Sequence, residues 1–237
     1  MEPSRRSVLV VAVLVALAAA APAGASFHFM QIEQVSGGFC GSPHAQAIQT
    51  RMRAAGQNLT NGTVLIARDS AGNNPVTLLN VNANVANSAA GSRILFATPE
   101  WVSAAGGPTP DFILPNPIPA PYLDAGKVTF GFSTTVYWSL AWGGANYTGP
   151  NAGAIDNDAD GNFNPPFPGV LPHLGNDAVR FTGTAGAMST NNAADYALSA
   201  SPATFTNNAG SSSALNECIF YDGFESGDLT AWSSVVP

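Results

Sequence analysis

The stretch KVTFGFSTTVYWSLAWGG (residues 127–144) is the most strand-like part of the chain, and its reading decides the fold. Both Lys127 to Phe132 and Thr135 to Gly144 are rich in the β-branched and aromatic residues that pack well on a pleated surface. Successive side chains of a strand point to opposite faces, so Trp138, Leu140 and Trp142 share one face and Tyr137 points to the other. An apolar leucine between two tryptophans favours a core face. The alternative is a pair of exposed indoles, Trp138 and Trp142, that stack on sugar rings as a ligand-binding platform.

The rest of the chain repeats the pattern. FHFMQIEQV (27–35) reads as an opening strand, GSRILFAT (91–98) and AVRFTGTA (178–185) as later ones, and Ala203 to Thr206 as a weak one. AQAIQTRMRA (45–54) has helical propensity, but its shortness between glycine-rich turns favours a strand. That strand would put Gln46, Ile48, Thr50 and Met52 on one face and Ala45, Ala47, Gln49, Arg51 and Arg53 on the other. GTVLIARD (62–69) and PVTLLNV (75–81) flank SAGNN, a hairpin turn in which Gly72 and Asn73 accept positive φ. Thr98 to Pro121 reads as loop. The segment GGPTPDFILPNPIPAPYLDAG lacks a ladder donor at each proline, so it must wrap the surface or join two sheets. Short strands with turn signals every 8 to 12 residues predict an all-β fold, an antiparallel β-sandwich of immunoglobulin-like or jelly-roll-like type with long Pro/Gly-rich loops.

The ends predict an exported protein. Arg5 and Arg6 precede an apolar run from Val8 to Ala21, and Ala23-Gly24-Ala25 supplies a small-residue cleavage site. The run is shorter than the roughly 20 residues a membrane anchor needs. SRRSVL resembles the twin-arginine pattern, but the strongly apolar core and the lack of a following basic residue favour the general export route. The expected organisation is a signal peptide at 1–25, a β-sandwich domain at 26–214 and a C-terminal tail segment at 215–237. The product is expected outside the cell or at its surface, with the periplasm as an alternative, and with no integral membrane span once the leader is cleaved.

The chain carries 8 Lys and Arg against 15 Asp and Glu. Without Arg5, Arg6 and Glu2, 6 basic and 14 acidic residues remain, a net charge of −8. There is no basic stripe to neutralise phosphates, so nucleic acid is not an expected partner; a cell-surface or extracellular polymer is. The two cysteines, Cys40 and Cys218, form a disulfide candidate, because an oxidising compartment and an even count favour pairing; two free thiols are the alternative.

One loop carries a metal motif. AIDNDADGNFNPPF (154–167) sets Asp156, Asp158 and Asp160 at alternate positions before Gly161, the D-x-D-x-D-G opening of a calcium loop, with Asn162 as a fourth ligand through its carbonyl. Phe167 stands where the bidentate glutamate belongs and PPFP forbids the following helix, so a full EF-hand is excluded. A shortened calcium turn and a solvated acidic turn both remain, and calcium is the only cofactor the sequence suggests. No catalytic residue is assigned. His28, His44 and His173 lie on separate segments without zinc spacing, and no G-x-S-x-G elbow occurs.

Two resemblances accompany this reading. FMQIEQVSGGFCGSPHAQAIQTRMRAAGQNLTNGTVLIARDSAGNNPVTLL followed by AAGSRILFAT, within residues 27–100, resembles the lamin-tail domains of secreted bacterial proteins. IEQV stands where those domains have INEV, and QAIQTRM where they have EFIEL. The resemblance implies an immunoglobulin-like sandwich with a binding or structural role and no catalytic residues. The closing CIFYDGFESGDLTAWSSVVP is similar to the F-x-D-G-F-E-S-G-D segments of exported bacterial proteins, which implies either a surface-sorting tag or a cap packed through Phe220, Phe224 and Trp232. The function expected is that of an exported, non-enzymatic binding or structural protein, with a carbohydrate-binding or carbohydrate-active protein as the alternative.

Overall fold

The computed structural model describes residues 27–151, 164–187 and 190–218. Period-two alternation becomes strand in chain order: β1 (Met30–Ser36), β2 (Ala47–Met52), β3 (Thr63–Arg68), β4 (Val76–Asn80), β5 (Arg93–Ala97) and β6 (Phe112–Ile113). Then follow β7 (Gly126–Phe132), β8 (Thr135–Trp142), β9 (Val179–Phe181), β10 (Tyr196–Leu198), β11 (Thr204–Thr206) and β12 (Ser212–Ala214). A six-stranded sheet runs in the order β10-β9-β1-β2-β5-β6, a four-stranded sheet in the order β4-β3-β7-β8, and β11 pairs with β12 alone. All pairings are antiparallel except β5 with β6.

The two larger sheets face one another as a sandwich. Met30, Ile32, Val35, Ile48, Met52 and Phe96 from the large sheet meet Leu65, Val128, Phe130, Trp138, Leu140 and Trp142 from the small one in a single buried cluster. Each such side chain contributes about 1.5–3 kcal/mol on burial. Gly126 lies opposite Trp142, and a Cβ there would sit 3.0 Å from the indole, so the glycine makes room for the ring. A polar tie crosses the core: Trp138 Nε1 donates to Tyr196 Oη at 2.7 Å, and Tyr196 Oη donates to the Ile32 carbonyl at 2.6 Å. Burial pushes the Tyr196 phenol above its ordinary pKa, so the hydroxyl stays a donor.

Three expectations are corrected. Tyr137 joins the core cluster with Trp138 instead of facing away, because a register shift between Phe130 and Gly131 leaves it as the extra residue of a bulge, packed on Phe27 at 5.6 Å. In the β3–β4 hairpin the left-handed positions are Gly72 (φ +74°) and Asn74 (φ +47°), not Asn73. Asp69 shapes that turn: its Oδ1 accepts from the amides of Ala71 and Asn73, and these bonds, the one to Asn73 foremost, hold its carboxyl below the ordinary value.

The third correction is that the start of the segment read as loop is a helix, α1 (Pro99–Ala104). Thr98 caps it by accepting from Trp101 N, Pro99 occupies the first turn, and Glu100 is favourably placed against the helix dipole. Beyond α1 the proline-rich chain does join the two sheets. It adds β6 at the edge of the large sheet, where a missing donor costs nothing, and then crosses to β7. Gln46 holds the crossing: its Nε2 donates to the Ile118 carbonyl at 2.9 Å and its Oε1 accepts from Ile118 N at 2.7 Å.

Candidate functional site

Cys40 and Cys218 are joined, with Cα atoms 5.4 Å apart. The bridge belongs to a second, smaller core on the outer face of the large sheet. There α1 and the β11–β12 hairpin lay Trp101, Phe205 and Leu215 over Ala47, Leu95 and Ala97. Trp101 and Phe205 meet edge to face at 5.6 Å, and Gly107 has no Cβ because one would lie 2.0 Å from the Trp101 ring. Side-chain amides stand in for ladder bonds under β11: Gln34 Nε2 donates to the Thr204 carbonyl at 2.8 Å, and Gln49 Oε1 accepts from Thr206 N at 2.6 Å. Asp111 closes the rim, one carboxylate oxygen accepting from Leu95 N and Asn208 N, both at 2.8 Å. Burial outweighs those two bonds and raises its pKa.

The candidates named from the sequence do not converge. Trp138 and Trp142 are both fully buried, Trp142 with its Nε1 donating to the Tyr122 carbonyl at 2.8 Å, so neither indole offers a face to a ligand. Asp156, Asp158, Asp160 and Asn162 lie outside the described residues, as do Phe220, Phe224 and Trp232. The flanks of the acidic segment are described, and they are clamped together. Asn164 N donates to the Asn151 carbonyl at 3.1 Å, Asn151 Nδ2 to the Asn164 carbonyl at 2.6 Å, and Asn192 N to Asn164 Oδ1 at 2.6 Å. Among the described residues no group of three or more His, Cys, Asp or Glu side chains is placed to hold a metal. His28 is exposed and its ring lies 4.5 Å from that of Tyr137.

The uncovered half of the outer face carries a site that sequence reading did not find. Residues directly opposite in an antiparallel pair share a face. The registers Gln31↔Arg51, Arg51↔Arg93 and Gln34↔Arg180 therefore bring Arg51 of β2, Arg93 of β5 and Arg180 of β9 to one side of the sheet. A register shift in β1 between Ile32 and Gln34 makes Glu33 the extra residue of a bulge, and it points to that same side. The three arginines and Glu33 line a cavity of about 440 Å³ with Thr182 and Ser199.

Glu33 is nearly buried and committed to one arginine. Its Oε2 accepts from Arg93 Nε at 2.6 Å and from Gln49 Nε2 at 2.7 Å, and its Oε1 accepts from Arg93 Nη2 at 2.9 Å. Among the described residues, Arg51 Nε is buried without a hydrogen-bond partner, as are both amide atoms of Gln31, the fully buried cross-strand neighbour of Arg51. The only sequence signal for the cavity was the placing of Gln49 and Arg51 on one face of their strand; Arg93 and Arg180 come from segments far along the chain.

Leu198 borders this cavity and also an apolar groove of about 510 Å³, lined by Val170, Leu171, Pro172, His173 and Leu174. Val170, Leu174 and Leu198 are about half exposed there. The groove lies against the disulfide, since Cys40 N donates to the Gly175 carbonyl at 2.9 Å and Gly41 N to the His173 carbonyl at 3.0 Å. In comparison with known proteins, no family model, no curated protein and no solved structure matches the chain. No helix among the described residues is long and apolar enough to cross a membrane.

Proposed function

We propose that the chain is an exported, non-enzymatic β-sandwich protein that acts by binding, or as a structural element, at or outside the cell surface. The observation that carries this reading is the Cys40–Cys218 bridge, which ties the second core together and suits an oxidising compartment. The leader at 1–25, with Arg5 and Arg6 before an apolar run, supports the same compartment. The likeness to lamin-tail domains over residues 27–100 supports a non-catalytic role. Burial of Trp138 and Trp142 favours this reading over a sugar-stacking platform.

The test is to express the full chain in a bacterium and to follow its N-terminus, its compartment and its thiols. The expected product begins at Ser26, is found outside the cytoplasm and gains no alkylating label at cysteine until it is reduced. A full-length, thiol-reactive chain retained in the cytoplasm would overturn the proposal.

A further inference from the structure

We propose that the cavity between β9, β1, β2 and β5 binds the anionic group of a small organic ligand, a carboxylate, sulfate or phosphate ester, through Arg51, Arg93 and Arg180. Only six basic residues lie beyond position 25, and three of them line this one cavity. Arginine guanidinium stays charged at any pH a protein survives, so the cluster cannot relieve its repulsion by losing protons.

Arg51 and Arg93 are direct cross-strand partners, a like-charge placement that weakens a sheet. A fold under no other demand would pair each with a carboxylate. Among the described residues, three guanidinium groups face a single carboxylate, Glu33, and both of its oxygens are taken up by Arg93. The excess among these lining residues is two positive charges, inside a chain whose net charge is −7.

Among the described residues, neither Arg51 nor Arg180 makes an ion pair, and Arg51 Nε is buried with nothing to donate to. A buried donor without a partner costs about 1–3 kcal/mol, which an anion in the cavity would remove. Thr182 and Ser199 add hydroxyl groups at the wall. A guanidinium fork matches the planar oxygens of a carboxylate and two oxygens of a sulfate or phosphate.

Size and charge narrow the ligand. About 440 Å³ is the room of a small organic molecule rather than of a bare ion. Leu198, about half exposed, gives the cavity an apolar edge against which the uncharged part of such a molecule packs. The acidic character of the whole chain repels a polyanion at long range, so a ligand with one anionic group fits better than a nucleic acid or a highly sulfated polymer.

The experiment is a thermal melt and a calorimetric titration of the mature protein with sodium sulfate, sodium phosphate and sodium glucuronate, each against sodium chloride at equal ionic strength. Arg51→Gln, Arg180→Gln and the double variant are run in parallel. At a concentration about fifty times its Kd, a bound anion raises Tm by roughly 5 °C or more. The expected result is such a rise with at least one of the three. The order among them separates the sources: glucuronate ahead of both inorganic ions marks an organic carboxylate, sulfate or phosphate ahead marks an ester.

Each single variant is expected to bind about tenfold or more weakly, and Arg180→Gln to melt without anion close to the wild type. Arg180 is exposed, so its variant keeps the test valid even where Arg51→Gln fails to fold. The proposal is overturned when none of the three anions stabilises beyond chloride, or when Arg180→Gln and the double variant respond as the wild type does. A response only to a polyanion such as heparin would also overturn it, in favour of a surface for acidic polymers.

Discussion

The outer face of the six-stranded sheet has two halves, built from the same strands and finished in opposite ways. Toward the ends of β2 and β5 marked by Ala47 and Ala97, small side chains lie under Trp101, Phe205 and Leu215, and a disulfide ties the cover down. Toward Arg51 and Arg93, the opposite ends of the same two strands, the residues are charged and the face is open as a cavity. The lesson is about what a strand's second face is for. Where alternate residues are alanine and leucine, the sheet must be covered. Where they are glutamine and arginine, the strand carries polar chemistry instead. Gln34 and Gln49 stand at the border, their amides completing the backbone bonding of β11 on one side while Gln49 also holds Glu33 on the other.

Breaking the covered half is expected to cost most. Replacing Cys40 and Cys218 together by serine reopens a loop with a sequence separation of 178, worth about 5 kcal/mol on the chain-entropy model, read from urea unfolding with and without reductant. A loss under 1 kcal/mol would mean that the apolar cover holds itself in place. Trp101→Ala removes the largest side chain of the small core and is expected to cost about 4 kcal/mol in the same assay. The open half is expected to be more tolerant. Glu33→Gln leaves Arg93 without its carboxylate and costs about 2 kcal/mol, less than a fully buried pair because Arg93 keeps 30 % of its side-chain surface exposed.

The covered half also contains the carboxylate whose titration sharpens the contrast. Asp111 has a raised pKa through burial, so its contribution is fully present below the unfolded value of 3.8 and is lost as pH rises through the higher folded value. Asp111→Asn keeps an acceptor for Leu95 N and Asn208 N, and is expected to flatten that decline in a series of melts across the acid range. The smallest effect belongs to Arg180→Gln, expected within about 0.5 kcal/mol of the wild type in urea. A larger loss would assign Arg180 a structural duty in place of a ligand.

Much of the architecture was legible in the residues because burial writes a period of two. TVYWSLAW, AIQTRM and RILFA each form strand within the segment expected, and the six prolines from Pro108 to Pro121 do bridge the two sheets. Helix α1 was missed although its signal was present: Thr98 as cap, Pro99 in the first turn and Glu100 beside it. Six residues between loops give too short a periodic run to stand out. Tyr137 was misplaced because a bulge adds one residue to the count, and no composition marks where a bulge falls.

The arginine cavity was illegible for a different reason. Arg51, Arg93 and Arg180 come from three strands whose neighbours are set by topology, and β9 meets β1 only after the chain has built the whole of the small sheet. Pairing of Cys40 with Cys218 was favoured by compartment, but their closeness depends on the same long-range arrangement.

The position of the disulfide also decides how the molecule answers a pull. Tension applied between residue 27 and residue 218 passes through the Cys40–Cys218 bond and bypasses every residue from 41 to 217. Only β1, upstream of Cys40, remains in the loaded path, and it lies between β9 and β2 with ladder bonds on both edges that would have to shear together. For a protein held by one end and tugged by the other, the bridge leaves one of the twelve described strands to act as the clamp. The lining of the cavity stays inside the unloaded loop apart from Glu33.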